Sequence, residues 1–147
     1  MKKILLTIYP VLLLLFPLSC KEECCQEEVL SPDQSLNGSW LLYERGYSPG
    51  SGYVIDKVSP KPAQKITFRP GNTLTSTVNG LTQFKFYSMA FDSVSDDLVL
   101  NLYEDQPQDT SQVASSFSVE MVDGNLKLMY HYCIEGCHLG FRRIGGH

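Results

Sequence analysis

The body of this chain is predicted to be an all-β domain, an eight-stranded antiparallel up-and-down barrel. Short apolar alternations recur between residues 36 and 144, and none of them keeps a helical period. Turn sequences with a Gly or Asn where a hairpin needs positive φ separate them: Pro70-Gly71-Asn72, Asn79-Gly80, Asp123-Gly124 and Ile134-Glu135-Gly136. Because an open sheet of this size would leave two exposed edges, closure into a barrel is the expected arrangement.

Each predicted strand ends at one of these turns or where the alternation changes. We expect strands at residues 38–45, 64–69, 73–78, 82–91, 97–104, 114–122, 125–133 and 137–144. The segment 44–63 is then the one long connection, and it combines several prolines and glycines with Tyr47 and Tyr53. A connection of this length in a compact domain is typical of a functional lid or a mobile loop.

Two turns also predict strand register. A two-residue loop at Asp123-Gly124 brings large apolar residues together in three facing pairs: Phe117 with Tyr130, Val119 with Leu128, and Met121 with Leu126. A three-residue loop at residues 134–136 gives three further pairs: Cys133 with Cys137, Leu128 with Arg142, and Leu126 with Ile144. Both hairpins share the face of Leu126 and Leu128, which we take as the barrel interior.

The chain begins with the pattern of an export signal. Two lysines precede an apolar run at residues 4–16, and Leu18-Ser19-Cys20 closes it. The run is shorter than the roughly 20 apolar residues of a spanning helix, but it suits the charged start, apolar middle and small-residue cleavage site of a secretory signal. We expect residues 1–19 to be a signal peptide that is removed on export.

Cys20 directly after Leu18-Ser19 resembles the cleavage site of a bacterial lipoprotein, although Pro17 stands where leucine is usual. A plain secretory signal is the alternative. Lys21-Glu22-Glu23 resembles the export signal of Bacteroidetes surface lipoproteins, and an ordinary charged tether is its alternative. The resemblance implies lipidation of Cys20 with acyl chains such as palmitate, which hold a protein stably when several are present. It also implies an outer-membrane location with the domain at the cell surface.

The residues after the signal divide into a tether and one domain. Residues 20–35 are rich in acids, and Ser31-Pro32-Asp33 interrupts local order, so we expect a flexible acidic tether. Residues 36–147 form the folded domain. The whole chain has a formal charge of −4, and loss of the signal lysines makes it more negative. Nucleic acid is therefore excluded as a partner, and membrane contact is expected through the lipid anchor alone.

Gly38-Ser39-Trp40 and Phe141-Arg142-Arg143-Ile144 resemble the lipocalin-like branch of the calycin superfamily, which has a glycine-any-tryptophan motif in its first strand and an arginine near the end of its last. The resemblance implies that the arginine covers Trp40 and closes one end of the barrel through a cation–π contact. The predicted register favours Arg142, with Arg143 as the alternative if a bulge shifts the strand.

The resemblance also implies where a ligand would bind. In lipocalins the first loop covers the barrel mouth, so Tyr47 and Tyr53 are candidate ligand contacts. The candidate cavity residues lie on the predicted inner face: Phe117, Val119, Met121, Leu128 and Tyr130. An eight-stranded barrel holds one small ligand or its own side chains. The expected function is non-covalent binding of a small, largely apolar molecule in the barrel, and a protein-interaction or inhibitory module with a filled barrel is the alternative.

Four cysteines besides Cys20 are candidates for a disulfide bond or a metal site. Cys133 and Cys137 bracket a turn and are expected to form a disulfide, because the compartment is oxidising and facing positions have the required separation. A metal such as zinc, held by these two thiols and the flanking His131 and His138, is the alternative. The adjacent pair at residues 24 and 25 has no assigned partner.

We expect no enzymatic activity and no cofactor. The sequence contains no phosphate-binding glycine loop, nucleophile elbow or helix-borne metal motif. A disulfide would also prevent the thiols beside His131 and His138 from acting as nucleophiles. Acidic residues at Asp96-Asp97 and within 105–109 fall in predicted turns. Solvated charge is the expected explanation for these acids, and a calcium site is the alternative.

Overall fold

A computed structural model describes residues 36–131, 133 and 136–145. The expected signal peptide at 1–19, the tether at 20–35 and the lipidation site Cys20 lie outside these residues. The described part contains one 3₁₀ turn, Thr110–Gln112, and nine strands: β1 Gly38–Tyr47, β2 Val54–Lys57, β3 Lys65–Arg69, β4 Thr73–Ser76, β5 Phe86–Asp92, β6 Asp97–Tyr103, β7 Ser115–Val122, β8 Asn125–Tyr130 and β9 His138–Ile144. In this part, no helix has the length and apolar character needed to cross a bilayer.

Eight of the strands close into an antiparallel up-and-down barrel, which confirms the predicted fold class. The first half of β1 pairs with β3, each strand from β3 to β9 pairs with the next, and β9 returns to β1 from Ser39–Ile144 to Gly46–His138. β2 is the additional strand, since it pairs with the far half of β1. It lies inside the segment that we predicted to be one long connection.

Antiparallel strands in a closed meander place the connections alternately at two ends. The Trp40 end carries the chain entry at Leu36 and the turns after β3, β5 and β7. The hairpin end carries the connections 77–85, 104–114 and 131–137 and the β1–β2 hairpin. A bulge between Leu42 and Glu44 changes the alternation in β1, so that Arg45 pairs with the inward-facing Leu139.

The interior is a continuous apolar core. Its members are at most 5% exposed and belong to one packed cluster: Leu36, Trp40, Leu42, Ile66, Phe68, Leu74, Val78, Leu81, Phe84, Tyr87, Leu100, Leu102, Phe117, Leu126, Leu128, Leu139 and Phe141. Three of them, Val78, Leu81 and Phe84, come from the β4–β5 connection. Residues 82–85, predicted as part of a strand, instead lie in this connection, and Phe84 is the one of them that is buried in the core.

The predicted register is confirmed for one hairpin and wrong for the other. β7 and β8 pair as expected, including Phe117 with Tyr130 and Met121 with Leu126. In the next hairpin Leu128 pairs with Leu139 and Leu126 with Phe141, because the loop is longer than three residues and the Tyr130 N–H bonds to the Cys137 carbonyl. This odd shift turns Leu139 and Phe141 inward, and it moves Arg142 to the exposed face.

Trp40 and Arg143 close one end of the barrel. The guanidinium carbon of Arg143 lies 4.4 Å from the centre of the Trp40 ring, and its Nη1 donates to the carbonyl of Asn37 over 3.0 Å. The indole Nε1 of Trp40 donates to the carbonyl of Leu36 over 2.8 Å. The preference for Arg142 in this position was wrong, since the register shift places Arg143 opposite Trp40.

Candidate functional site

The β1–β2 hairpin is the main feature of the hairpin end. Its register, with Glu44 opposite Lys57 and Tyr47 opposite Val54, gives it two different faces. One face carries Arg45 and Tyr47, and the Tyr47 hydroxyl donates to a carboxylate oxygen of Asp56 over 3.1 Å. The other face carries Glu44 and Lys57 and continues the outer wall of the barrel, because β1 pairs with β9 here.

The outer face of this hairpin is fixed by a set of polar contacts that we call the Tyr53 network: Tyr53, His138, Glu44 and Lys57. The Tyr53 hydroxyl is hydrogen bonded to Nδ1 of His138, and their rings stack with centroids 5.9 Å apart. Nε2 of His138 lies 3.3 Å from Glu44 Oε1, and Lys57 Nζ lies 2.6 Å from Glu44 Oε2. The loop after β1 is thereby held against β9.

His138 is 2% exposed, and two glycines make room for the groups around it. A Cβ at Gly46 would overlap the Tyr53 hydroxyl and the His138 ring, and a Cβ at Gly140 would overlap the side chain of Glu44. Because an ionised carboxylate only accepts hydrogen bonds, Nε2 of His138 is the donor to Glu44, and Nδ1 is hydrogen bonded to the Tyr53 hydroxyl. Every polar atom of the buried ring then has a partner.

Electrostatics agree with this assignment. Burial acts to raise the pKa of Glu44, but hydrogen bonds from Lys57 and His138 outweigh it and hold the pKa below its ordinary value. The pKa of Tyr53 is raised by burial and by the nearby charge of Glu44, so its hydroxyl stays protonated at neutral pH. A protonated phenol suits a hydrogen-bond donor and not a nucleophile.

The five candidate cavity residues share one face of the β7–β8 hairpin, where the rings of Phe117 and Tyr130 are 4.8 Å apart, but they differ in burial. Phe117 and Leu128 are fully buried within the packed core, and Val119 is partly buried against it. Met121, 43% exposed, lies at the Trp40 end, whereas Tyr130, 37% exposed, lies at the hairpin end. Burial raises the pKa of Tyr130, and the charge of Arg45 opposes that rise.

The two loop tyrosines are also separated. Tyr47 is on the hairpin face that continues the barrel interior, while Tyr53 packs on the outer wall against His138. They therefore do not line one mouth. The clefts found on the described surface are lined mainly by outer-wall and loop residues, such as Tyr103 and Gln106 in one and Lys65 and Thr75 in another.

Cys133 and Cys137 lie at disulfide-bonding distance, with Cα atoms 5.5 Å apart. They sit beside the Tyr53 network, because a Cβ at Gly136 would be 3.9 Å from Cε2 of Tyr53. The flanking histidines bind elsewhere, His138 in the Tyr53 network and His131 on Ser118. Among the described residues there is no group of three or more side chains suited to a metal ion. Cys24 and Cys25 lie outside the described residues.

A second polar cluster on the outer wall was missed by sequence reasoning. The Ser118 hydroxyl, in a residue 8% exposed, lies 2.9 Å from Nε2 of His131 and 3.3 Å from Asp97 Oδ2. These residues come from β6, β7 and the end of β8, and only the strand register brings them together. Asp109, one of the acids considered for calcium, instead caps the 3₁₀ turn by accepting from the Ser111 N–H.

The large exposed apolar side chains fall into two groups at opposite ends of the barrel. Tyr47, Tyr53, Ile55 and Tyr130 are at the hairpin end, and Phe91, Val94, Met121 and Val122 are at the Trp40 end. Exposed aromatic and apolar clusters of this kind mark interaction surfaces.

Fold and site together define a closed antiparallel β-barrel that is filled by its own side chains and braced on the outside by a buried histidine. No family model matches the chain, and neither the curated proteins nor the solved structures provide a significant match.

Proposed function

We propose that this chain is a lipid-anchored protein of a bacterial cell envelope, and that its barrel is a filled scaffold whose hairpin end binds a protein partner. The observation that carries the proposal is the interior, where seventeen side chains pack in one cluster. A carrier needs a cavity that buries most of its ligand. Here the candidate cavity positions Phe117 and Leu128 are 0% exposed.

The hairpin end has the features of a binding surface. Tyr53 and Ile55, on the outer face of the β1–β2 hairpin, are 49% and 51% exposed, and tyrosine is enriched in the energetically important part of protein interfaces. The partner that fits them has an apolar patch with hydrogen-bonding groups at its rim. Because β2 pairs with β1 alone among the described strands, its outer edge can also take an added strand from that partner.

The Tyr53 network supports this proposal by holding the hairpin in one conformation. Lys57, Glu44 and His138 connect β2, β1 and β9 through successive contacts. A surface that is fixed before binding loses less conformational entropy when the partner arrives. The lipid anchor is supported by the sequence Leu18-Ser19-Cys20 and by the apolar run before it, which resemble a lipoprotein signal.

Site-specific photocrosslinking in intact envelopes tests the interaction. A photoreactive residue at Ile55 is expected to give one discrete crosslinked product, and the same residue at Thr75, exposed on the polar outer wall of β3 and β4, gives none. Equal products at both positions, or none at Ile55, would refute a partner at the hairpin end.

A titration with an environment-sensitive fatty-acid probe tests the carrier function directly. The filled barrel is expected to give no saturable signal. Saturable binding that is lost when Phe117 or Leu128 is enlarged would show an interior ligand site and reverse the proposal.

A further inference from the structure

Four exposed apolar side chains gather on two neighbouring turns at the Trp40 end. Phe91 and Val94 belong to the β5–β6 hairpin and are 64% and 94% exposed, and Met121 and Val122 belong to the β7–β8 hairpin and are 43% and 45% exposed. The two hairpins are adjacent because β6 pairs with β7. A patch this apolar at a turn, where polar residues are usual, marks a contact surface.

The chain enters the barrel at the same end. Leu36 and Asn37 are held there by Trp40 Nε1 and Arg143 Nη1, which donate to their carbonyl oxygens. The residues that precede Leu36, including the expected anchor Cys20, therefore join the domain at the end that carries the apolar turns.

We propose that the Trp40 end docks on the surface of a lipid bilayer, with Phe91, Val94, Met121 and Val122 entering the interfacial region. This inference rests on the proposed lipid anchor at Cys20. Apolar side chains bind a bilayer interface in proportion to the area they bury.

The anchor makes a weak contact sufficient. Once the lipid anchor is in the bilayer, the linker sets the effective concentration of the domain at the membrane surface. A patch that is too weak to bind the bilayer from solution can therefore still bind it in the anchored protein. Residues 20–35 span at most about 55 Å when extended, which exceeds the length of the ten-residue strand β1. The linker is therefore long enough to allow either end of the barrel to face the bilayer. The orientation is set by the apolar turns.

Charge favours a zwitterionic surface. The two turns carry Asp92, Asp96 and Asp123, and Asp92 accepts a hydrogen bond from the Val94 N–H over 2.9 Å, an arrangement that favours the ionised carboxylate. Three exposed arginines lie at the same end of the barrel: Arg69, Arg142 and Arg143. Because acids repel an anionic surface and arginines attract one, the two sets offset each other. The surface that fits the patch is zwitterionic, such as one of phosphatidylethanolamine and phosphatidylcholine.

In this arrangement the hairpin end points away from the membrane. The β1–β2 hairpin, which lies at the opposite end of the barrel, is then presented to a partner outside.

Tryptophan fluorescence in brominated lipid provides the test, because the chain has one tryptophan and it is 0% exposed. The lipidated protein is reconstituted in phosphatidylethanolamine–phosphatidylcholine vesicles with brominated acyl chains. Val94→Trp is compared with Ile55→Trp, both at exposed positions that tolerate a larger side chain, and the Trp40 background is subtracted. We expect at least twofold stronger quenching at position 94 than at position 55.

The other outcomes are distinct. Protein that floats with the vesicles but shows equal quenching at 94 and 55 overturns the orientation and leaves the anchor intact. Protein that does not float with vesicles overturns the anchor and this inference together. A blue-shifted emission at position 94 without lipid overturns the inference in favour of a protein contact, namely a second copy if the shift depends on concentration and residues 20–35 if it does not.

Discussion

Arg143 and Trp40 face each other across the first and last strands, with the guanidinium carbon 4.4 Å from the centre of the indole ring. The pair joins two elements that are at opposite ends of the domain sequence. It also ties the chain entry to the barrel, because Arg143 and Trp40 each donate a hydrogen bond to the backbone just before β1.

Replacement of Arg143 by alanine should lower the free energy of unfolding by about 1–3 kcal/mol, since a cation–π contact and a hydrogen bond are both lost. Arg142→Ala is the matched control, because Arg142 lies on the opposite face of β9 and pairs with Leu41, and its loss should change stability by less than about 0.5 kcal/mol. Urea denaturation of both variants measures the difference. Equal effects would contradict the placement of Arg143 over Trp40.

Tyr53→Phe should destabilise the domain by about 1–2 kcal/mol, because Nδ1 of the buried His138 loses its hydrogen-bond partner. The ring of phenylalanine keeps the stacking contact, so the effect isolates the hydroxyl. Tyr47→Phe removes an exposed bond to Asp56 and should cost less than about 0.5 kcal/mol. Thermal unfolding of the two variants provides the comparison.

Stability should fall as the pH drops into the acid range, partly through Glu44. Its pKa in the folded protein is below the ordinary value, so its contribution is present above the pKa of the unfolded chain and is lost as the pH falls through the folded pKa. Glu44→Gln should therefore be less stable than the parent at pH 7, with a gap that narrows towards pH 3. Urea midpoints at several pH values measure it, and a gap that widens in acid would contradict the assignment.

Loss of the bond between Cys133 and Cys137 should cost about 2 kcal/mol or less, because the ring it closes is short. The double variant Cys133→Ser/Cys137→Ser is expected to keep the barrel. Near-ultraviolet circular dichroism reports retained packing around Trp40. An unfolded double variant would assign the bond a larger role than fixing one hairpin tip.

Leu81→Ala should destabilise the domain by about 2–5 kcal/mol, the usual range for a buried leucine. Leu81 is 2% exposed and comes from the β4–β5 connection, so a loss of this size identifies that connection as part of the core. Val94→Ala, at a position 94% exposed, is the control and should change stability little. A small effect of Leu81→Ala would indicate a loose hairpin end with room for a ligand.

The strands and their closure were predictable from local signals. Gly38-Ser39-Trp40 marks the start of β1, and Asp123-Gly124 sets the β7–β8 register, because Asp123 and Gly124 both adopt positive φ as a two-residue hairpin loop requires. Resemblance to the lipocalin-like family also indicated that an arginine would cover Trp40. These features depend on a few adjacent residues.

Other features depend on contacts between distant residues. The predicted β8–β9 register was wrong because β9 has apolar residues on both faces. The alternation therefore does not show that Leu139 and Phe141, and not Ile144, face the interior. β2 was missed because its four residues lie among prolines and glycines. The Tyr53 network could not be predicted from the sequence, since the hydrogen bond between Tyr53 and His138 joins residues 85 positions apart.

The pairing of β1 with β9, which joins Ser39 to Ile144, has a consequence for synthesis. β1 is made first among the strands, yet one of its edges has no partner until β9 has been translated. Because contacts between such distant residues form slowly, the unclosed sheet would expose β1 and β8 to other chains for much of the process. A chain that stops before β9 is therefore expected to aggregate rather than to fold into a smaller barrel.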